Sequence, residues 1–212
     1  MNPAFSLQRF ARDQLPVTPW KNGGGSTREI ACWPPGAGLS DFGWRISIAT
    51  IAASGPFSVF AGIDRHIMLL GGDGVRLRSP GSIDHQLDTA GQPFAFSGDA
   101  AIDCTLLGGE SSDFNVMTRR GQWQADVQVL EEAGDIAPAP HGLLLVLSGI
   151  WRVSYEHEHK HEQPALRAGD GLRWSGQAPS LHAQPESPGA RLVAVRLHPP
   201  TKPYDTPELS GI

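Results

Sequence analysis

Lysine, cysteine and long apolar runs are all scarce in this chain of 212 residues. Three lysines and 14 scattered arginines stand against 22 acidic residues, so the formal net charge at pH 7 is −5. A protein that binds nucleic acid needs clustered Lys and Arg to neutralise phosphates. The composition therefore argues against a nucleic-acid partner.

The two cysteines, Cys32 and Cys104, cannot by themselves build a disulfide framework or a zinc site. No apolar run approaches the 18 residues or so that a membrane-spanning helix needs, and no cleavable leader follows Met1. We therefore expect a protein without a membrane partner that resides in the reducing cytoplasm.

Glycine and proline, in contrast, are abundant, with 43 of the 212 residues, about a fifth of the chain. This excess over the roughly 12% usual in proteins indicates many turns. Helical periodicity is rare, and short runs typical of strands recur between the turn signals. The pattern predicts an all-β protein. The strand-like runs are residues 44–49, 65–70, 74–77, 101–107, 143–147, 151–155 and 192–197.

A weak internal repeat relates the two halves of the chain. The run HIMLLG at 66–71 is similar to LLLVLSG at 143–149, and each is followed by a second strand and then by a Gly-Asp pair. A single such unit has exposed strand edges, which closure into a barrel would remove. We therefore predict two related β-barrel lobes. The expected division is an N-terminal lobe at 1–130, a C-terminal lobe at 131–200 and an extended tail at 201–212.

Four segments resemble the signature blocks of the HutD/Ves family, in the same order. They are PWKNGGGSTREI at 19–30, FGWRISIA at 42–49, GPFSVFAGIDR at 55–65 and DFNVMTRRG at 113–121. The resemblance is strong over about residues 10–125. It implies a cupin-like double β-barrel, or bicupin, and a link to bacterial histidine utilisation. It also implies a regulatory role in which the protein holds an acidic intermediate such as formylglutamate, without a metal or other cofactor.

The first block places Lys21 and Asn22 beside three consecutive glycines. Glycines either let the backbone approach a ligand closely or form a tight turn, and both interpretations remain open. The block is not a phosphate loop, because the Gly-Lys-Ser/Thr ending is missing. Its polar character makes Glu29 the candidate general base if the protein is an enzyme.

Along the second block, apolar and polar side chains alternate as on a strand. Trp44 therefore lies on the core face, and Arg45 and Ser47 share the opposite face. Arg45 has two possible roles. It points into the barrel, where a guanidinium can hold a carboxylate through two hydrogen bonds, or it pairs with an internal carboxylate such as Glu29.

Arg65, at the end of the third block, has two similar alternatives. It forms a structural ion pair with Asp64, or it faces the cavity together with Arg45 and Lys21. In the second case the pocket is cationic and suits a dicarboxylate.

In the fourth block, Asp113, Asn115 and Met117 fall on one face of a strand. Either Asn115 and Met117 line the mouth of a pocket, or Asp113 and Arg119 fasten the two lobes together. The complete set of candidate ligand-binding residues is Lys21, Asn22, Gly23, Gly24, Thr27, Glu29, Arg45, Ser47, Arg65, Asn115 and Met117.

A histidine-rich segment, EHEHKHE at 156–162, invites a metal site. Side chains two apart on a strand lie about 7 Å from each other, so His157 and His159 could share an ion but have no third close ligand. A solvated hairpin tip is the simpler interpretation, with adventitious metal binding at most. Ahead of Gly71 the chain also lacks the paired histidines of metal-binding cupins.

Two functions follow from these observations. The first is a metal-free binding or regulatory protein for a small acid, with a homodimer as a possible assembly. The second is a metal-free isomerase or lyase of cupin type that acts on a small carboxylic acid, with Glu29 as its base. Loss of turnover in a Glu29→Gln variant would identify the enzyme.

Overall fold

A computed structural model describes residues 5–157, 160–176 and 180–200. Within these ranges the chain forms strands apart from one short 3-10 helix at Arg12–Gln14. No helix among the described residues has the length and apolar character needed to cross a membrane. The strands in chain order are β1 (Ser6–Ala11), β2 (Thr18–Pro19), β3 (Gly25–Trp33), β4 (Trp44–Ile51), β5 (Gly55–Pro56), β6 (Ile63–Gly72), β7 (Val75–Ser79), β8 (Ile83–Leu87), β9 (Pro93–Ser97), β10 (Asp103–Leu106), β11 (Ser111–Arg119), β12 (Gln124–Leu130), β13 (Gly134–Ile136), β14 (His141–Ser148), β15 (Ile150–His157), β16 (Lys160–Glu162), β17 (Ala165–Arg167), β18 (Asp170–Ser175), β19 (Leu181–Pro185) and β20 (Arg191–His198).

The strands form four sheets that pair into two sandwiches. In the first sandwich, a six-stranded sheet of order β2-β3-β4-β11-β6-β9 faces a sheet of order β5-β10-β7-β8. In the second, a sheet of order β1-β18-β14-β20-β12 faces a sheet of order β13-β19-β15-β16, with β17 paired to β15. The strand pairs recorded within these sheets are all antiparallel.

The alternation of side chains decides what each large sheet buries. Trp44, Ile46 and Ile48 of β4 pack with Leu143 and Val193 of the second sandwich, so the two large sheets lie back to back. The opposite faces enclose separate apolar clusters, one inside each sandwich. The prediction that Trp44 is a core residue is therefore confirmed, since its side chain is buried in this junction.

The prediction of an all-β fold is confirmed, with one correction to its architecture. The sheets of each lobe are open at their edges within the described residues, so the lobes are β-sandwiches and not closed barrels. The edge strands β8 and β9, for example, belong to opposite layers. Within the described residues, each is hydrogen-bonded to a neighbouring strand on one side only.

Two strands from the N-terminal part of the chain belong to the second sandwich. β1 pairs with β18 from Ser6 opposite Ser175 to Ala11 opposite Asp170, and β12 pairs with β20. Strands from the first 130 residues thus supply both edges of the large sheet in the second sandwich. The division at residue 130 stays a prediction about domains, and the predicted tail at 201–212 lies outside the described residues.

Candidate functional site

A row of polar side chains lies on the inner face of the first sandwich. β11 occupies the middle of the six-stranded sheet and turns Asp113, Asn115 and Met117 inward. Met117 is directly opposite Arg45 of β4 on one side and Arg65 of β6 on the other. Antiparallel partners point to the same face, so the sheet carries both arginines towards one interior.

Arg65 is the centre of a buried hydrogen-bonded chain. Its side chain is 7% exposed, and Nη2 donates to Asn115 Oδ1 over 2.8 Å. Asn115 Nδ2 in turn donates to Asp113 Oδ1. Two atoms of this chain, Arg65 Nε and Asp113 Oδ2, are buried without a hydrogen-bond partner. Such atoms cost free energy unless another group supplies the missing bond.

Three phenylalanine rings surround the Arg65 guanidinium. Its central carbon lies 4.9 Å from the centroid of Phe96, 5.5 Å from Phe57 and 5.7 Å from Phe60. These rings replace water around the cation and attract it through their negative faces. Burial lowers the pKa of Arg65 to about 10, Asp113 opposes this effect and Arg45 adds to it, so Arg65 stays charged at neutral pH.

Asp113 is the acidic member of the cluster, and burial dominates its titration. Removal from water raises the pKa of this carboxyl to about 7, against the opposing effects of the Arg65 charge and the Asn115 hydrogen bond. Burial and the Asp113 charge together raise the pKa of the neighbouring Cys104 thiol to about 12. Cys104 is therefore a protonated core residue and not a nucleophile at neutral pH.

Arg45 lies at the more open side of the same cluster. Its Nε is 2.7 Å from Glu29 Oε2, and its Nη1 donates to Ser47 Oγ over 3.3 Å. The Arg45 side chain is 14% exposed and that of Glu29 is 43% exposed. Both alternatives for Arg45 are thus realised together, because it belongs to the inner face and is also paired with Glu29.

Of the glycine-rich block, Glu29 contacts this cluster, and the turn at Lys21, Asn22 and Gly23 lies apart from it on the surface. Lys21, Asn22 and Gly23 are exposed in the turn between β2 and β3, and Asn22 Oδ1 accepts a hydrogen bond from Gly24 N over 3.0 Å. Gly25 permits a close approach, since a Cβ there would lie 2.1 Å from the Thr50 carbonyl oxygen. These contacts show a structural role for the glycines, and the assignment of Lys21, Asn22, Gly23 and Gly24 as ligand-binding residues stays a prediction. From the same block, Thr27 accepts a hydrogen bond from Trp20 Nε1 over 2.8 Å.

The remaining sequence alternatives are also resolved by partners. Asp64 pairs with Arg120 at 2.8 Å and not with Arg65. Arg119 donates to the carbonyl oxygens of Phe42 and Ser40, so it does not bind Asp113. Asp113 was missing from the candidate set, although its alternation with Asn115 and Met117 already placed it on the same face.

The donors around Arg65 do not suit a metal ion. Two guanidiniums, a primary amide and the carboxyls of Asp113 and Glu29 meet there, and no group of three His, Cys, Asp or Glu side chains able to hold a metal occurs in the described parts of the chain. Divalent metals in proteins need several such ligands at about 2 Å. His159 and the side chain of His157 lie outside the described residues.

Known proteins resemble this chain in both sequence and structure. The HutD family model matches residues 12–193. Protein Ves of Citrobacter koseri is 41% identical over 148 residues, which cover 69% of this chain and 76% of Ves. A conserved protein of unknown function from Pseudomonas aeruginosa PAO1 superposes with a TM-score of 0.80 at 38% identity, covering 91% of this chain and 99% of that one. HutD from Pseudomonas fluorescens SBW25 gives 0.78 at 31% identity, covering 92% and 100%.

More distant structures establish the fold alone. Oxalate decarboxylase of Lactobacillus farciminis superposes with a TM-score of 0.63 at 8% identity, over 91% of this chain and 86% of that one. The prediction of a cupin-like fold is confirmed by this likeness.

Proposed function

Because the chain belongs to the HutD family, we propose that it is a regulatory protein whose first sandwich binds a small acidic molecule. Family membership supports a cupin-type protein related to histidine utilisation. The acidic ligand, for which formylglutamate is our candidate, and the regulatory role go beyond this and rest on the chemistry of the polar cluster.

The observation that carries the proposal is the buried Arg65 guanidinium with an unpartnered Nε. A guanidinium has five N–H donors, and a carboxylate matches two of them in parallel. A bound carboxylate would therefore supply the acceptor that the protein leaves out, in surroundings where water competes little. Hydrogen bonds to charged groups in such surroundings contribute about 1.5–3 kcal/mol each.

A second cation suits a ligand with two acidic groups. Arg45 and Arg65 flank Met117 because they lie on the two strands next to β11, one on each side. Their Cα atoms are therefore about two strand spacings, roughly 10 Å, apart. One carboxylate can lie at each guanidinium in a short dicarboxylic acid such as formylglutamate. Since Arg45 and Glu29 form the exposed side of the cluster, we propose that the ligand enters there.

Calorimetric titration of formylglutamate into purified protein tests the proposal. We expect binding to weaken at least tenfold in Arg45→Met and in Arg65→Met, because each change removes one guanidinium and keeps a similar side-chain length. Arg152→Met is the matched control, since Arg152 is ion-paired on the second sandwich, and it should bind as the unmodified protein does. Equal affinity in all four proteins would refute the proposal.

Thermal stability gives a second readout of the same binding. A ligand that binds only the native state raises the unfolding free energy by about 2.7 kcal/mol at a concentration one hundred times its Kd. Formylglutamate should therefore raise the Tm of the unmodified protein and leave that of Arg65→Met in place. Urocanate, histidine and glutamate serve as comparison ligands.

The enzymatic alternative has less support. As a general base, Glu29 would need a free carboxylate close to substrate, but Arg45 holds it at 2.7 Å. An isomerase or lyase activity is therefore not part of this proposal. A homodimer and a cytoplasmic location remain predictions from the sequence.

A further inference from the structure

The second sandwich contains a cavity of its own, lined by residues that do not belong to the arginine cluster. It has a volume of about 130 Å³ and lies between the two sheets at the β12 edge. Liquid water occupies about 30 Å³ per molecule, so the space suits a small organic molecule. The lining residues are Asp126, Gln128, Asp135, Ile136, Ala137, Ala194 and Arg196.

Two of the strands that line this cavity, β12 and β20, have the same places in their sheet as β4 and β11 of the polar cluster. β11 lies between β4 and β6, and β20 lies likewise between β12 and β14, where β6 and β14 are the strands related by the sequence repeat. Asp126 is paired with Arg196, and Gln128 with Ala194. Since Ala194 and Leu192 belong to the interior apolar cluster of the second sandwich, this row of side chains faces inward.

The lining of this cavity carries more acidic than basic side chains. Asp126 Oδ2 lies 2.7 Å from Arg196 Nη2 and 3.3 Å from His198 Nε2, so the only arginine of the lining is already neutralised. Asp135 Oδ1 is 2.6 Å from His182 Nδ1, and its side chain is 76% exposed at the mouth. The two carboxylates, Asp126 and Asp135, therefore outnumber the one guanidinium among the lining residues.

We propose that this cavity binds a small organic cation, a primary ammonium on a short apolar stem. The Asp135 carboxylate and the Gln128 amide oxygen are acceptors for the three N–H donors of an ammonium group. Ile136, Ala137 and Ala194 form an apolar wall of small side chains for the stem. An anion is disfavoured, because the lining offers it two carboxylates and only one guanidinium.

Titration with n-butylammonium chloride, followed by ¹H–¹⁵N NMR, tests this site directly. We expect saturable shifts of the backbone amides of Gln128, Ile136 and Ala194. Asp135→Asn should weaken binding at least fivefold, because it removes one of the two carboxylates and keeps an oxygen that can accept from His182. Asp103→Asn changes an exposed carboxylate of the first sandwich and is the matched control, with unchanged affinity.

Butyrate separates charge recognition from simple filling of the cavity, since it has the same number of carbon atoms and the opposite charge. It should produce no saturable shifts at these amides. The proposal is overturned if butyrate binds as well as butylammonium, if Asp135→Asn binds as the control does, or if butylammonium leaves the cavity amides unmoved. Arg65→Met should bind butylammonium normally, which makes the result independent of the acid site.

Discussion

The inner faces of the two sandwiches differ in how deeply their charged groups are buried and in what they are paired with. In the first, Arg65 is 7% exposed, and its environment consists of phenylalanine rings and the Asn115–Asp113 chain. In the second, the side chain of Arg196 is 26% exposed and is paired directly with Asp126. The same strand arrangement therefore supports two kinds of polar cluster. The cluster of the first sandwich is buried and depends on its own hydrogen bonds, whereas that of the second is exposed and can be solvated by water.

This difference in burial controls how much each charge matters for stability. Charges in water interact weakly because solvent screens them, whereas a buried group without its partner costs several kcal/mol. Equivalent changes in the two sandwiches should thus have unequal effects. The following predictions test that inequality, beginning with the largest effect.

Asp113→Asn should remove a large pH dependence of stability. Burial raises the pKa of Asp113 from 3.8 to about 7, so its stabilising contribution is complete below pH 3.8 and is lost as pH rises through 7. At 1.36 kcal/mol per pKa unit the loss is about 4 kcal/mol at most. Urea unfolding between pH 4 and pH 8 should show a flatter profile in the variant, with greater stability than the unmodified protein at pH 8.

The corresponding change in the second sandwich, Asp135→Asn, should change the free energy of unfolding by less than about 0.5 kcal/mol, because the Asp135 side chain is exposed. A flattening as large as that of Asp113→Asn would contradict the distinction between a buried and a solvated cluster.

Asn115→Leu should lower the free energy of unfolding by about 3 kcal/mol. Asn115 is the shared partner of Arg65 and Asp113, and its loss leaves two buried groups without hydrogen bonds. Gln128→Leu is the control on the second sandwich, where the side chain is exposed, and should change stability by less than about 0.5 kcal/mol. Similar losses in the two variants, measured by urea unfolding, would show that burial does not separate the sites.

The free energy of unfolding should fall less on acidification in His141→Phe than in the unmodified protein, by between about 2 and 3 kcal/mol. His141 lies between the sandwiches against Trp33, Trp44 and Trp123, with ring centroids 4.5, 5.3 and 5.2 Å away. Burial lowers its pKa from 6.5 to about 4. Stability therefore falls as pH drops from 6.5 to 4, since the unfolded chain takes up the proton first. Far-UV circular dichroism should show a smaller loss of Tm over this range in the variant.

Glu29→Gln should have the smallest effect, an increase of about threefold in affinity for formylglutamate. The change removes a carboxylate that competes with the ligand for Arg45, and exposed ion pairs contribute little more than 0.5–1 kcal/mol. Calorimetric titration measures the change. A loss of affinity, or turnover that vanishes in the variant, would favour the enzymatic alternative instead.

The first sandwich was largely predictable because its information is local. Alternation along residues 44–49 placed Trp44 on the core face and Arg45 with Ser47 on the opposite face, as the structure has them. The same rule grouped Asn115 with Asp113. Arg45 and Arg65 lie on the same face of the sheet because β4 and β6 are both neighbours of β11. The sequence of either segment alone does not predict this strand pairing.

Other features were beyond such local rules. Lys21 lies in the exposed turn between β2 and β3, and the close approach of Gly25 to the Thr50 carbonyl oxygen depends on the pairing of β3 with β4. Open sandwiches and closed barrels share the same alternation, so only the hydrogen bonds at the sheet edges distinguish them. The cavity in the second sandwich was missed because Asp126 and Asp135 come together through the packing of two sheets.

The pairing of β1 with β18 also bears on how the protein is made. Arg9 and Asp170, which bridge these strands, are 161 positions apart. During synthesis β1 therefore leaves the ribosome long before its partner exists, and its apolar positions must wait in an unpaired strand. Segments in that condition are the ones that aggregate or recruit chaperones. A nascent chain halted before β18 would carry this hazard, and a fragment beginning after β12 would lack both borders of its main sheet.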